Sequence, residues 1–187
     1  MNLATIVPSA DVLVQQCING DSSAFRLLYD RYSKAMFNTA LRMLNRAPDA
    51  EDVLQEAFTD AFQQLENFKG KSTFGAWLKQ IVVYKCITHL KKQRLLFSDM
   101  EPDADTLADE PPIQEDEIWY TVEMIKGAMQ HLPTGYRTVL SLHLFEGYDQ
   151  EEVAEIMQVA HSTVRTQYMR AKQKLLQVLK QGEVYEQ

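Results

Sequence analysis

DQEEVAEIMQVAHSTVRTQYMRAKQK, residues 149–174, reads as two helices joined by a tight turn. Asp149 sits where a helix cap belongs, and Glu152 follows three residues later, the spacing of a capping box. Tyr148 and Val153 are placed for the hydrophobic staple that often accompanies it. Val153, Ile156 and Met157 form one apolar stripe, and Gln158-Val159-Ala160 leaves room only for a turn. The second helix carries Val164, Tyr168, Ala171, Leu175 and Val178 at steps of four and three, a stripe that must pack inward. Thr163, Arg165, Thr166, Arg170, Lys172 and Lys174 fall on its other faces. From His161 to Lys180 there is no Asp or Glu, against five Lys or Arg. A capped acidic helix, a short turn and a long basic helix make a helix-turn-helix, whose second helix enters the DNA major groove by its start. A helical hairpin with a merely solvated outer face has the same spacing. The acid-free run favours DNA, because a solvated face normally mixes both signs.

The rest of the chain bounds the answer. Its 187 residues suffice for one or two domains. Gly and Pro are few, and Ile81-Val82-Val83 alone resembles a strand-length β-branched run, so the chain is expected to be all-α. Cys17 and Cys86 lie far apart and have no metal-ligand spacing with the four His, which suits buried thiols of a reduced, cytoplasmic protein. No apolar stretch has signal-peptide or membrane-spanning length, so neither a leader nor membrane insertion is expected. The net charge of −7 argues against nucleic acid until it is localised. Nine acids and no base lie between Asp99 and Glu117, and removing those nine negative charges from −7 leaves +2 elsewhere. From Gly70 to Arg94 there are six Lys or Arg and no acid. Local potential governs a binding face more than the total does.

Before that basic stretch, Ser9 is positioned to cap a short helix closed by Gly20, and Asp21 to cap a long one. Phe25, Leu28, Tyr29, Tyr32, Met36 and Ala40 give the long helix its core face. DAEDVLQEAFTDAFQQLENF (49–68) begins the next helix at Asp49, with Val53, Leu54, Ala57, Phe58, Ala61, Phe62 and Leu65 inward. Asp49 and Asp52 suit the positive helix start. Gln55-Glu56 in mid-helix has no such reason and reads either as a solvated pair or as a docking face for a basic partner. Ser72 is the expected cap of TFGAWLKQIVVYKCITHLKKQR (73–94), whose inward stripe combines Trp77 or Phe74 with Leu78, Ile81, Val82 and Cys86. Aromatics interleaved with bases are the composition of single-strand binding, where rings stack on bases and cations follow phosphates. Each ring taken singly is as readily explained by the core. LLFSDMEPDADTLADEPPIQEDE (95–117) has three Pro and no periodicity and reads as an acidic flexible linker. Helices then run over 118–131, with Val122, Ile125, Ala128 and Met129 inward, and over 134–145, closed by Gly147. With the helix-turn-helix they make a four-helix C-terminal domain, in which His143 reads as a core histidine.

Four motifs in this order, DAEDVLQEAFTDAF (49–62), FKGKSTFGAWLKQIVVYKCITHLKKQR (68–94), LPTGYRTVLSLHLFEGYDQEEVAEIM (132–157) and STVRTQYMRAKQKL (162–175), resemble the sigma-70 family of bacterial RNA polymerase, in its small extracytoplasmic-function (ECF) group. The resemblance covers nearly everything from Asp21 to Lys180. It implies a tail and short helix over 1–20, sigma region 2 over 21–94, the linker over 95–117, sigma region 4 over 118–180 and a C-terminal tail over 181–187. Region 2 would dock on the clamp helices of the polymerase large subunit through Asp49, Asp52, Gln55, Glu56 and Asp60. It would hold the opened minus-ten strand with Lys71, Ser72, Thr73, Phe74, Trp77, Tyr84, Lys85 and Thr88. Region 4 would read minus-thirty-five duplex with His161, Ser162, Thr163, Arg165, Thr166, Met169, Arg170 and Lys172, its apolar flank meeting the polymerase flap. The implied function is promoter-specific transcription initiation with core RNA polymerase, without cofactor, metal or catalysis, and with an anti-sigma factor as a typical further partner. Tyr84 stands where the family usually has Asn, Thr88 where Asp is usual, and Ser162 where Gly is usual. Gln158 and Ala160 replace the usual Gly and capping residue of the turn. A stand-alone helix-turn-helix regulator is the alternative. An enzyme finds no paired-carboxylate pocket, His/Cys cluster or Gly-rich phosphate loop to support it.

Overall fold

A computed structural model describes residues 8–93 and 121–183, and every element among them is helical. The acidic segment 95–117, Arg94 and the two termini lie outside the described residues. Two compact units result: residues up to Leu41 with Arg46–Cys86, and Arg42–Asn45 with the described residues from Ile87 onward.

In the first unit α1 (Ala10–Ile18) starts on Ser9, whose hydroxyl accepts the Val12 N–H, and buries Leu13, Val14 and Cys17. Burial, with the nearby charge of Asp21, pushes the Cys17 thiol up to about 11. Gly20, at φ +85°, turns the chain into α2 (Ser22–Leu44). The Asp21 carboxylate accepts the Ser23 N–H at 2.9 Å and the Ser23 hydroxyl at 2.6 Å, bonds that hold it below its ordinary pKa. Asn45, at φ +59°, ends α2. The next helix, α3 (Ala47–Gln63), begins two residues earlier than Asp49, with Arg46 in the cap position and no side-chain hydrogen bond capping the helix. Pro48 sits in its first turn, where a missing N–H costs nothing.

Three rings of α2 tie this unit together. Phe25 meets Phe62 edge-on at 4.8 Å, and Tyr29 meets Phe58 at 4.7 Å, both on α3. Tyr32 meets Phe74, the first residue of α4 (Phe74–Lys92), at 5.3 Å. Buried residues of α4 in this unit extend beyond the expected stripe to Val83, and from Ile87 onward the helix belongs to the second unit. Ile81-Val82-Val83 lies within this helix and is no strand. Cys86 is fully buried.

In the second unit α5 (Val122–Gln130) starts on Thr121, whose hydroxyl accepts the Met124 N–H at 3.2 Å. Residues 118–120 lie outside the described residues. Val122, expected inward, is 54% exposed because it occupies the first helical position, one turn before the covered face begins. Helix α6 (Thr134–Leu140) continues as a π turn over Ser141–Phe145, and Gly147 follows at φ +81°. Helix α7 (Gln150–Met157) and the long α8 (His161–Glu183) complete the unit. Ala171, Leu175 and Leu179 of α8 form a core with Ala128, Met129, Leu132 and Leu140. His143 donates through Nδ1 to the Tyr148 carbonyl at 2.8 Å and stands edge-on to Tyr168, so it serves packing.

At Gly75 a Cβ would lie 2.8 Å from Cε1 of Tyr32. Ala in place of a helical Gly normally gains about 0.5–1 kcal/mol. Here overpacking reverses the sign, at a cost of about 1–3 kcal/mol. Gly75→Ala should therefore lower the urea midpoint, and in a Tyr32→Ala background the same substitution should raise it.

Candidate nucleic-acid interface

The turn before α8 decides how that helix is presented. Asp149 Oδ1 accepts the N–H groups of Glu151 and Glu152 at 2.9 and 2.8 Å, and Glu152 returns the bond to the Asp149 N–H at 2.8 Å. The capping box is complete. At the far end of α7 the Val159 N–H reaches the Ala154 carbonyl at 3.1 Å, and Gln158 takes φ +58° and ψ +47°. This is a Schellman closure with glutamine in the left-handed position that glycine fills at least cost. Ala160 offers no side-chain oxygen to the start of α8, and its carbonyl accepts the N–H groups of Thr163 and Val164.

The buried residues of α8 (Val164, Gln167, Ala171, Leu175 and Leu179) fix its rotation. His161, Ser162, Arg165, Thr166, Met169 and Lys172 are exposed. At 3.6 residues per turn these six share one arc of about 140°. Met169 is 54% exposed there, an apolar tip among polar neighbours. Thr163 and Arg170 are half-buried and lie off the arc. Gln167 is a buried polar residue that the apolar periodicity did not reveal, and its Oε1 finds no partner within the described structure.

The residues named for single-strand contact divide four ways. Lys71, Ser72 and Thr73 are exposed in the loop before α4, where Gly70 takes φ +66°. Thr73, not Ser72, caps the helix, accepting the Ala76 N–H at 3.2 Å, and the Ser72 hydroxyl donates to the Thr73 carbonyl. Phe74 is fully buried between Tyr32, Phe68 and Trp77, so its ring is a core group in this conformation. Trp77 is half-buried, 5.2 Å from Phe68. Tyr84, 53% exposed, and exposed Thr88 follow on the same side of α4 at helical spacing.

Lys85 stands apart. Its ammonium lies 2.6 Å from the Asp60 carboxylate and 3.4 Å from that of Glu56, both on α3. Glu56 therefore has a basic partner, which the sequence of its own helix did not indicate. The hydrogen bond to Asp60 dominates in pushing the Lys85 pKa above its ordinary value.

Of the residues named for docking, Asp52, Gln55 and Glu56 are exposed along α3. Asp49 is mostly covered and paired with Arg46 at 3.4 Å, and Asp60 is about one-third exposed. Beside them Tyr29, Ser33, Lys34 and Phe37 of α2 face Glu51, Leu54 and Gln55 across an open groove of about 400 Å³. Sequence periodicity assigned Tyr29 to the core and passed over the other three α2 residues. Their only signal was a polar pair, Ser33-Lys34, beside two aromatics. Among the described residues no group of His, Cys, Asp and Glu is arranged to hold a metal, and no helix is long and apolar enough to cross a membrane.

A helical unit carrying a helix-turn-helix with an acid-free outer arc, alongside a second unit with a basic, aromatic helix, defines a DNA-binding transcription protein. Family comparison makes it specific. Residues 28–95 match the model for sigma-70 region 2, and residues 123–175 the model for sigma-70 region 4. The RNA polymerase sigma-H factor of Pseudomonas aeruginosa is 33% identical, over 86% of this chain and 89% of the relative. The ECF RNA polymerase sigma-E factors of Haemophilus influenzae and Escherichia coli K12 are 31% and 30% identical. The former match spans 86% of this chain and 90% of the relative, the latter 87% and 90%. The fold is shared with CnrH, solved in complex with the cytosolic domain of CnrY (TM-score 0.53, 24% identity, 92% of this chain and 98% of that one). It is shared also with the sigma factor RpoE of Bartonella quintana, solved with the anti-sigma factor NepR (TM-score 0.53, 20% identity, 83% and 96%). The chain belongs to the sigma-70 family, in its ECF group, and is a sigma factor of transcription initiation.

Two measurements test the geometry. Asp149→Ala removes the capping box and should cost about 0.5–2 kcal/mol in chemical denaturation. A lysine whose pKa is raised on folding contributes stability below its unfolded pKa and loses it as pH climbs through the folded value. The stability difference between wild type and Lys85→Gln should therefore stay constant from neutral pH up to about pH 10.5 and shrink above it.

Proposed function

We propose that the chain holds a promoter at two places while riding on core RNA polymerase, and itself catalyses nothing. The observation that carries this is the outward arc of α8, six residues without an acid on a helix rotated by its own buried stripe. Arg165 suits a guanine edge or a phosphate, Thr166 and Ser162 either, and Met169 a thymine methyl. Lys172, farther along the helix, suits the backbone. Thr163 and Arg170, at the margin of the arc, are flanking contacts. The region over 118–180 would thus read the minus-thirty-five duplex.

The region over 21–94 would take the opened minus-ten strand on α4 and the loop before it. Lys71, Ser72 and Thr73 approach the backbone, and Trp77, Tyr84 and Thr88 form the side along which unstacked bases are met, with Lys85 next to them. Phe74 supports this surface from beneath. Tyr84 in place of the usual Asn makes stacking, rather than amide hydrogen bonding, the means of holding a base there. Asp52, Gln55 and Glu56, with Asp49 and Asp60 at the edges, form the docking face for the clamp helices of the polymerase large subunit. The groove between α2 and α3 adds an apolar floor to it. The acidic segment 95–117 joins two modest sites, so each raises the effective concentration of the other. An inhibitory anti-sigma protein is a fitting further partner, since the Bartonella quintana protein of the same fold was solved with one. The cytoplasm is the compartment this activity requires.

In vitro transcription with core polymerase on fragmented genomic DNA tests the reading. Arg165→Glu should lower promoter-directed transcript at least tenfold, a change of about 1.4 kcal/mol, while polymerase pull-down stays at the wild-type level. Glu56→Arg should do the reverse, weakening the pull-down. Tight promoter binding by the purified chain alone, in a gel shift without polymerase, would instead indicate a stand-alone regulator.

A further inference from the structure

Eight methionines and two cysteines are the oxidisable sulfur of this chain, and the fold treats them unequally. Met36, Met43, Met129 and Met157 are buried, and Met124 is half-covered against the core of the second unit. Met1 and Met100 lie outside the described residues. Among the described methionines Met169 alone is exposed, to 54%. Both cysteines are buried, and the raised pKa of Cys17 keeps it out of the reactive thiolate form. An exposed methionine is ordinary on its own. The placement of this one is not ordinary. It stands on the outward arc of α8, one turn after Arg165 and Thr166 and one turn before Lys172 and Gln173. It is also the one apolar side chain among the six of that arc.

We propose that Met169 is a modification site: oxidation of its thioether by a hydroperoxide lowers recognition of the minus-thirty-five duplex, and a thiol-dependent sulfoxide reductase restores it. The inference rests on the reading of the α8 arc proposed above and adds a control on it. The step balances. A sulfur lone pair attacks one peroxide oxygen, the O–O bond breaks and an S–O bond forms. The proton of the transferred oxygen passes to the departing oxide, which leaves as water when the oxidant is hydrogen peroxide. Sulfur gives up two electrons and the peroxide takes them. The protein need supply only access, which Met169 has. The sulfoxide is polar and chiral, so it no longer matches a thymine methyl. Its oxygen is an acceptor one turn from Arg165 and one turn from Lys172, side chains that can only donate. A guanidinium bonded to that oxygen is drawn away from a guanine edge or a phosphate. One added oxygen atom thus removes an apolar contact and competes for a charged one. The buried stripe of Val164, Ala171, Leu175 and Leu179 lies on the other side of α8, so the fold is spared. The proposed docking residues on α3 are in the other unit. The oxidised chain would therefore still ride on polymerase while selecting its promoters poorly.

The test treats the full chain with hydrogen peroxide, quenches with free methionine, and adds untreated core polymerase and the strongest promoter recovered from genomic transcription. Peptide mass spectrometry follows each methionine. Met169 should gain one oxygen before Met36, Met43, Met129 and Met157 do. The ratio of treated to untreated transcript should fall about fivefold for wild type, the effect of about one mismatched base pair, while polymerase pull-down holds its level. Met169→Leu, compared with its own untreated sample, should show no fall. Met169→Gln, whose amide oxygen imitates the sulfoxide, should lower transcript without peroxide. Methionine sulfoxide reductase with dithiothreitol should restore the wild-type transcript as the added mass leaves Met169. A fall of equal size in Met169→Leu overturns the proposal, because the damage then lies at another residue. So does full transcript from a chain oxidised at Met169, or oxidation of the buried methionines ahead of it. Arg165→Glu on the same promoter separates the two readings. If it lowers transcript where oxidation does not, only the modification site fails. If neither lowers transcript, the arc does not read DNA and both fail.

Discussion

Everything in the first unit hangs on three rings of one helix. Phe25, Tyr29 and Tyr32 are spaced four and three along α2, so they share a side. The first two engage Phe62 and Phe58 of α3, and the third engages Phe74 of α4. Aromatic pairs of this kind contribute about 0.5–1.5 kcal/mol each beyond the area they bury, and they are directional. They therefore fix the rotation of α3 and α4 as well as their separation. Gly75 belongs to the same constraint, since only a residue without Cβ lets α4 come so close to Tyr32. With those rotations set, Asp52, Gln55 and Glu56 point outward from one helix, Tyr84 and Thr88 from the other, and Lys85 meets Asp60 between them.

The C-terminal unit solves a related problem with aliphatic residues. Ala171, Leu175 and Leu179 lock α8 to α5 and α6, and the capping box and Schellman closure of α7 set where α8 begins. The six-residue outer arc is what remains once the inner stripe is buried. The left-handed Gln158 shows that the turn is held by its two flanking helices rather than by its own preference, because glutamine gains nothing from that conformation.

Much of this was legible in the residues because it is local. The Ser9 cap, the Asp149–Glu152 box, the inward stripe of α8 and the all-helical class depend on spacings within a few positions, and the matching motifs carried the family. What escaped depends on contacts between elements. Thr73 took the cap role expected of Ser72, and α3 began before Asp49, because several residues at each boundary are competent and the neighbouring helix decides among them. The choice between Phe74 and Trp77 for the core required knowing where Tyr32 and Phe68 stand. The pairing of Lys85 with Asp60 and Glu56 has no periodic signature, since it depends on the axial rotation of two helices. The groove between α2 and α3 was hidden for the same reason: Tyr29 fits a core pattern and still lines an opening.

The two cysteines have a bearing on how such a protein is governed. Cys86 is sealed, and Cys17 is buried with its thiol pushed up to about 11, so both stay in the thiol form at neutral pH. Sulfur that is neither ionised nor exposed reacts slowly with peroxides, electrophiles and disulfides. Neither cysteine is thus a ready point of attack, and of the sulfur on the proposed DNA-facing arc only the Met169 thioether stands exposed.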